Sequence, residues 1–204
     1  MGNMWNKRFA TEEYVYGEEP NAFIREHVGQ LRACGPVVCF AEGEGRNAVF
    51  LAREGHDVTA WDYAESGLRK TKSLAAKHGV VVKTKTVDLL EYEVEAGQFD
   101  AAIMVFGHFQ SRDQKEVFKK MLKVVKPGGV VMLEVYSKEQ IRYGTGGPRE
   151  IDMLYDPKDV LDWIGGHHVV HFFWGEQDRK EGTLHKGLAH VIQLVLKKKR
   201  SDDE

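Results

Sequence analysis

The sequence holds only two cysteines in 204 residues, Cys34 and Cys39. No CxxC pair and no Cys/His ligand set accompanies them, which argues against a structural zinc site. Cys39 lies inside an apolar run and reads as a small buried hydrophobe. Apolar runs are far too short to span a bilayer. The opening stretch "MGNMWNKRFATEEYVYGEEP" lacks the apolar core of a signal peptide, and residue 6 is Asn where a myristoylation pattern needs Ser or Thr. A large excess of basic charge is also missing: 29 Lys and Arg face 31 Asp and Glu. That balance lowers the expectation of a nucleic-acid partner. These absences together predict a cytoplasmic protein with neither a membrane nor a nucleic-acid partner; nothing in them speaks to oligomeric state. Internal repeats and linker-like stretches are missing too, so residues 1–204 read as one domain, with "KKKRSDDE" (197–204) as a solvated charged tail.

What is present is alternation. Residues 37–40 form a continuously apolar strand of the kind buried on both faces. Helical spacing over 46–54 ends at Gly55, and a second strand spans 58–61. A helix over 66–78 stops at Gly79 and leads to a third strand over 80–87. The fourth strand covers 99–106, the next helix 112–125, and "KPGG" separates that helix from a fifth strand over 130–136. Before all of these, Pro20 suits the first turn of a helix over 20–31; after them, 157–164 reads as another helix. The runs 168–174 and 188–196 are rich in β-formers and joined by a polar stretch of about 13 residues, an antiparallel pair. Alternating strands and helices imply parallel strands and right-handed crossovers. The prediction is an α/β fold: a doubly wound seven-stranded sheet, mostly parallel, closed by a C-terminal antiparallel hairpin.

Between the first two strands the turn reads Gly43-Glu44-Gly45-Arg46-Asn47-Ala48, and Asp62 follows Gly43 by 19 residues at the end of strand two. Glycines let a backbone approach a ligand closely, and an acid at that distance suits a ribose. A nicotinamide dinucleotide and S-adenosylmethionine both satisfy this pattern. A dehydrogenase, however, usually needs a second mononucleotide half and a substrate domain, and here the chain is used up by one seven-stranded unit.

The remaining segments carry a resemblance. "AEGEGRN" (41–47), Asp62, "DLLEY" (88–92), "FDAAIMVF" (99–106) and "LKVVKPGGVVMLEVY" (122–136) resemble, in order, the class I S-adenosylmethionine-dependent methyltransferases. More narrowly, "WNKRFATEEYVYGEEPNAF" and "YGTGGP" look like the tellurite-resistance and thiopurine-methyltransferase branch. The resemblance implies a Rossmann-like fold, S-adenosylmethionine as cofactor and a small-molecule methyl acceptor, a thiol or a chalcogen oxyanion. It implies that Gly43 and Gly45 approach the methionine end, that Asp62 takes the ribose hydroxyls, and that Asp88 accepts from the adenine amino group. Leu89 would pack on the ring, with Tyr63 flanking it. Residues 1–34 would cap the site, with Trp5 and Tyr16 as an aromatic cover for a sulfonium.

Two positions depart from the family pattern: Cys39 stands where an acid is usual and Ala41 where the first glycine is usual. Glu42 is the candidate replacement acid, facing the methionine ammonium. A binding protein without turnover is the reading these departures leave open. The sulfonium methyl is already activated, so orientation supplies much of the rate, about 7–11 kcal/mol. A soft nucleophile then needs no strong base. The candidate base or substrate contact is His108, after strand four; Tyr136, Arg142 and Tyr143, at or beyond the end of strand five, are further substrate-side candidates, and "YGTGG" has the composition of a lid. The aromatic-proline tetrapeptide of base N-methylation is replaced by Val105-Phe106-Gly107-His108. "HHVVH" (167–171) invites a metal reading, but in a strand His167 and His171 lie about 13 Å apart. No metal site is predicted.

Overall fold

The computed structural model describes residues 2–31, 35–182 and 185–200; Cys34 and tail residues 201–204 lie outside the described residues. Among the described residues there are seven strands: β1 Pro36–Phe40, β2 Asp57–Asp62, β3 Lys83–Thr86, β4 Phe99–Val105, β5 Val125–Tyr136, β6 His168–Glu181 and β7 His185–Lys197. They form one sheet in the order β3-β2-β1-β4-β5-β7-β6. The first five run parallel, and β7 enters antiparallel between β5 and β6. The expected fold is therefore the observed one.

Among the described residues six α-helices accompany the sheet: α1 Gly2–Arg8, α2 Ala22–His27, α3 Arg46–Arg53, α4 Glu65–Lys77, α5 Ser111–Val124 and α6 Pro157–Ile164. Strand periodicity divides the apolar residues between two layers. Val38, Phe40, Ala102, Met104, Val131 and Leu133 face α5 and α6 through Val117, Phe118, Met121 and Val160. Val37, Cys39, Ala101, Ile103 and Met132 face α2, α3 and α4 through Phe23, Ile24, Leu51 and Leu74. Both faces of β1 and β4 are covered, so these strands have no polar alternation. Cys39 is fully buried in the second layer, as a small apolar residue would be.

Several boundaries differ from the sequence reading. Only Lys83–Thr86 of the expected third strand pairs with β2; Val81 before it is 82% exposed. The "KPGG" stretch lies within β5, whose pairing with β4 shifts register between Phe99 and Ala101. The helix expected over 20–31 is α2 followed by a 3₁₀ turn at Val28–Leu31, with the Asn21 side chain accepting the Ile24 N–H as N-cap. The largest difference is the hairpin. Most of the polar stretch taken as a connection is strand, with pairing from His168↔Lys197 out to Glu181↔His185. Its inward residues include charges that find buried partners, so no apolar alternation marks it.

Candidate active site

Strand order reverses between β1 and β4, and at such a point the loops leaving neighbouring strands part to open a crevice. A cavity of about 720 Å³ lies there. Its walls are Ala41 to Glu44 after β1, Asp62 and Tyr63 at the end of β2, Val87 to Leu90 after β3, Val105 to Gln110 after β4, and Gly147 to Glu150 beyond β5. Ala41 and Phe106, which follow neighbouring strands, both hold positive φ, 49° and 54°. That geometry explains why a glycine is usual at the Ala41 position: a Cβ in the left-handed region costs roughly 1–2 kcal/mol.

The turn after β1 is held by two carboxylates. Asp62 Oδ2 accepts the Gly43 N–H at 2.8 Å, and Oδ1 accepts the Ala64 N–H at 2.7 Å. Burial raises the Asp62 pKa although these donors oppose it. Glu42 Oε1 accepts the Asn47 and Ala48 N–H groups, at 2.9 and 2.7 Å, and so caps the start of α3, where Gly45 offers no side chain. Burial pushes the Glu42 carboxyl up to about 7, with the Asp62 charge adding to the rise; the Ala48 and Asn47 N–H groups and Arg46 pull it down. The Cys39 thiol is raised by its own burial and by the Glu42 carboxylate to which it hydrogen-bonds. Cys39 and Glu42 are thus hydrogen-bonded neighbours where the strand passes into the turn.

Helix α4 packs directly on this turn. A methyl at Gly67 would sit 2.6 Å from the Gly43 carbonyl oxygen and 3.0 Å from the Phe9 ring. Helix α1 lies across the same place: the Ser66 hydroxyl donates to the Asn6 carbonyl at 2.9 Å. Phe9 packs on Trp5 at 5.5 Å between ring centroids, and Trp5 lies 6.5 Å from Tyr16 and 5.7 Å from His108. Arg8 stacks 4.8 Å from the Trp5 ring and donates to the Tyr16 hydroxyl at 3.0 Å. Lys70 ties the segment down through Glu44, at 2.7 Å, and through the Glu13 carbonyl.

Trp5, Tyr16, Glu42, Gly43, Asp62, Tyr63, Asp88 and Leu89 all line the cavity. Gly45 does not; it is buried against Thr71 at the start of α3. Exposed Asp88 accepts the Leu90 N–H at 2.9 Å, and Leu89 is buried. Burial, with Asp62 and Asp88 nearby, pushes the Tyr63 phenol up to about 12.

His108 also lines the cavity. Its Nε2 is buried with no hydrogen-bond partner, and burial followed by Arg8 lowers its pKa to about 4. It is a neutral imidazole and a weak base. Tyr136 is buried behind Phe106, stacked at 4.3 Å, rather than exposed to the cavity. Arg142 is exposed, and the Tyr143 hydroxyl donates to Glu176 at 2.5 Å; neither lines the cavity. The stretch expected to act as a lid is tied down: the Gln140 amide donates to the Gly146 carbonyl, and the Thr145 hydroxyl to the Leu188 carbonyl. His167 and His171 do not meet. His171 packs 4.5 Å from His27, and no metal-binding cluster occurs among the described residues.

The sequence reading missed Arg8, Phe9, Arg46, Phe106 and Arg149 as lining residues. The spacing of Trp5 and Phe9, one helical turn apart, was a readable sign of α1; nothing local marks Arg149.

Comparison with known proteins agrees with this geometry. A family model described as "Methyltransferase domain" matches residues 37–129. A curated relative, the putative methyltransferase YqeM of Bacillus subtilis, is 27% identical over 111 residues, 52% of this chain and 44% of YqeM. The chain thus spans less than half of that relative. A solved structure described by the conversion of a disulfide bond into a thioacetal group during echinomycin biosynthesis has TM-score 0.74 at 15% identity, covering 96% of this chain and 88% of the other. TehB from Haemophilus influenzae has 0.71 at 13%, covering 97% and 67%. The [4+2]-cyclase SpnF has 0.70 at 12%, covering 98% and 96%. The protein has the fold of the class I S-adenosylmethionine-dependent methyltransferases.

Proposed function

We propose that this protein binds S-adenosylmethionine in the cavity and transfers its methyl group to a small molecule. The observation that carries the reading is the arrangement of the turn after β1: Gly43 lines the cavity together with Glu42, Asp62 and Asp88, and the Trp5, Phe9 and Tyr16 rings share the same lining. Carboxylates and π faces suit a cofactor bearing an ammonium, a ribose and a sulfonium. When bound, that cofactor supplies an electrophilic methyl. Glu42 faces the ammonium, Asp62 and Asp88 hold the ribose and adenine, and Trp5, Phe9 and Tyr16 exclude water. The chain from 1 to 34 serves as the cap of a single domain.

His108 orients the acceptor through Nε2 rather than taking its proton, since a base of pKa about 4 removes few protons at neutral pH. That favours an acceptor whose nucleophile needs no strong base, a thiol or a chalcogen oxyanion. Similarity to TehB supports the same branch. A second reading, binding without methyl transfer, draws on the internal engagement of Asp62 and Glu42 and on the fold's occurrence in a cyclase.

Calorimetric titration with S-adenosylmethionine and S-adenosylhomocysteine tests the proposal, repeated with Asp62→Ala. Micromolar binding is expected, lost in the variant. Because Asp62 also holds the Gly43 N–H, the variant should lose roughly 1–3 kcal/mol of ligand-free stability as well. Failure of folded native protein to bind either ligand refutes the proposal; tight binding with no product from thiol and oxyanion acceptors favours the second reading.

A further inference from the structure

Glu181, the last residue of β6, lies outside the large cavity, yet its carboxylate gathers donors from its own strand and from two other parts of the chain. Oε2 accepts from Arg46 Nη1 at 2.7 Å; Oε1 accepts from the Asn21 amide at 3.1 Å, the Ala22 N–H at 3.4 Å and Arg179 Nη1 at 3.3 Å. Arg46 opens α3, directly after the glycine turn, and its Nη1 also reaches the Tyr16 carbonyl at 3.3 Å. Beside Glu181, Gly182 presses on the same segment: a methyl there would lie 2.5 Å from the Tyr16 carbonyl carbon. One carboxylate therefore joins the hairpin tip, the start of α3 and the N-terminal segment that carries Trp5, Phe9 and Tyr16.

The hairpin does not need this carboxylate to stay in place. Its ladder with β7 is continuous to the tip apart from one bulge, and Arg179 is anchored independently by an ion pair with Glu134 of β5, which also accepts from Gln193. What Glu181 adds is directed at Arg46, Asn21 and Ala22. Burial tends to raise its pKa, but Arg46 and Arg179 outweigh that and hold it below the usual value, so the group is charged at neutral pH.

We propose that Glu181 is a positioning residue for the cofactor cavity: it clasps the N-terminal segment to α3, so that the aromatic wall retains bound S-adenosylmethionine. The proposal rests on the reading of the cavity given above. Removing the charge leaves Arg46, itself a lining residue, without its carboxylate and loosens the hold on residues 16–22, leaving Ser66 and Lys70 to tie down residues 4–17.

The test compares native protein, Glu181→Gln and a surface control, Lys180→Gln, whose target side chain is 87% exposed. Hydrogen exchange of residues 4–17 is measured without ligand, and the dissociation rate of S-adenosylhomocysteine by stopped flow. In Glu181→Gln these amides should exchange faster, and dissociation should quicken about tenfold, within the range typical of coupled sites; the control should match native. Should Glu181→Gln fail to fold, Asn21→Asp is read instead, since it keeps the α2 cap and sets two carboxylates against each other. A lower melting temperature with exchange of 4–17 and ligand dissociation both unchanged would overturn the proposal. If native protein does not bind the ligand, the functional reading falls and takes retention with it; exchange of 4–17 alone then upholds or overturns the clasp.

Discussion

Glu42 gives the cofactor reading its sharpest consequence, a proton released on binding. Its carboxyl sits at about 7, well above the ordinary 4.5, because it is buried and has Asp62 as a neighbour. At pH 7 half of the ligand-free molecules carry the proton. An ammonium placed against Glu42 favours the charged form and returns the pKa toward its ordinary value. Binding at pH 7 should then release about half a proton, rising toward one near pH 6 and vanishing by about pH 9. Titrating S-adenosylhomocysteine calorimetrically at each pH, in two buffers of different ionisation enthalpy, reads the release directly. Glu42→Gln should bind more weakly and release none. Identical binding enthalpies in both buffers at pH 6 and pH 7 would refute the pairing. The same shift makes a folding prediction. A folded pKa raised above the unfolded one gives stability that is full below about 4.5 and lost as pH rises through about 7. The melting advantage of native protein over Glu42→Gln should accordingly shrink between pH 5 and pH 8.

Two further outcomes can be checked by thermal unfolding and binding. Gly67→Ala places a methyl 2.6 Å from the Gly43 carbonyl oxygen; it should cost about 1–3 kcal/mol and weaken S-adenosylhomocysteine binding by displacing the turn, and an unchanged midpoint and affinity would show that α4 can yield. His108, lowered to about 4 by burial and Arg8, contributes stability that is full above about 6.5 and lost as pH falls through about 4. His108→Gln should therefore unfold less steeply in acid, by no more than about 3 kcal/mol over that range, and a parallel acid profile would contradict the buried neutral imidazole.

Legibility followed the physics of each element. Strands β1 and β4 are covered on both faces, so their apolar runs stood out, and the helix read over 157–164 is α6, which the structure shows capped by Asp156. The outer hairpin did not stand out. Arg179 and Glu181 occupy buried positions only because Glu134 and Arg46, far away in sequence, neutralise them. In the site, Gly43 and Asp62 were legible from spacing, since the turn and the end of β2 meet wherever β1 pairs with β2. Arg142 and Tyr143 were chosen for their place in the chain after β5, but the loop carries them to the outer face.

By itself the sequence determined the layered fold, the strand alternation and the glycine turn after β1. All three depend on local periodicity and on glycine, proline and capping chemistry within a few residues. Only the tertiary structure decided that Glu42 caps α3 and lies against Cys39, that His108 is a neutral imidazole, and that Arg8 and Phe9 join the cavity wall. Those outcomes depend on burial and on charges brought together from distant segments, and burial and field have no signature in a linear pattern.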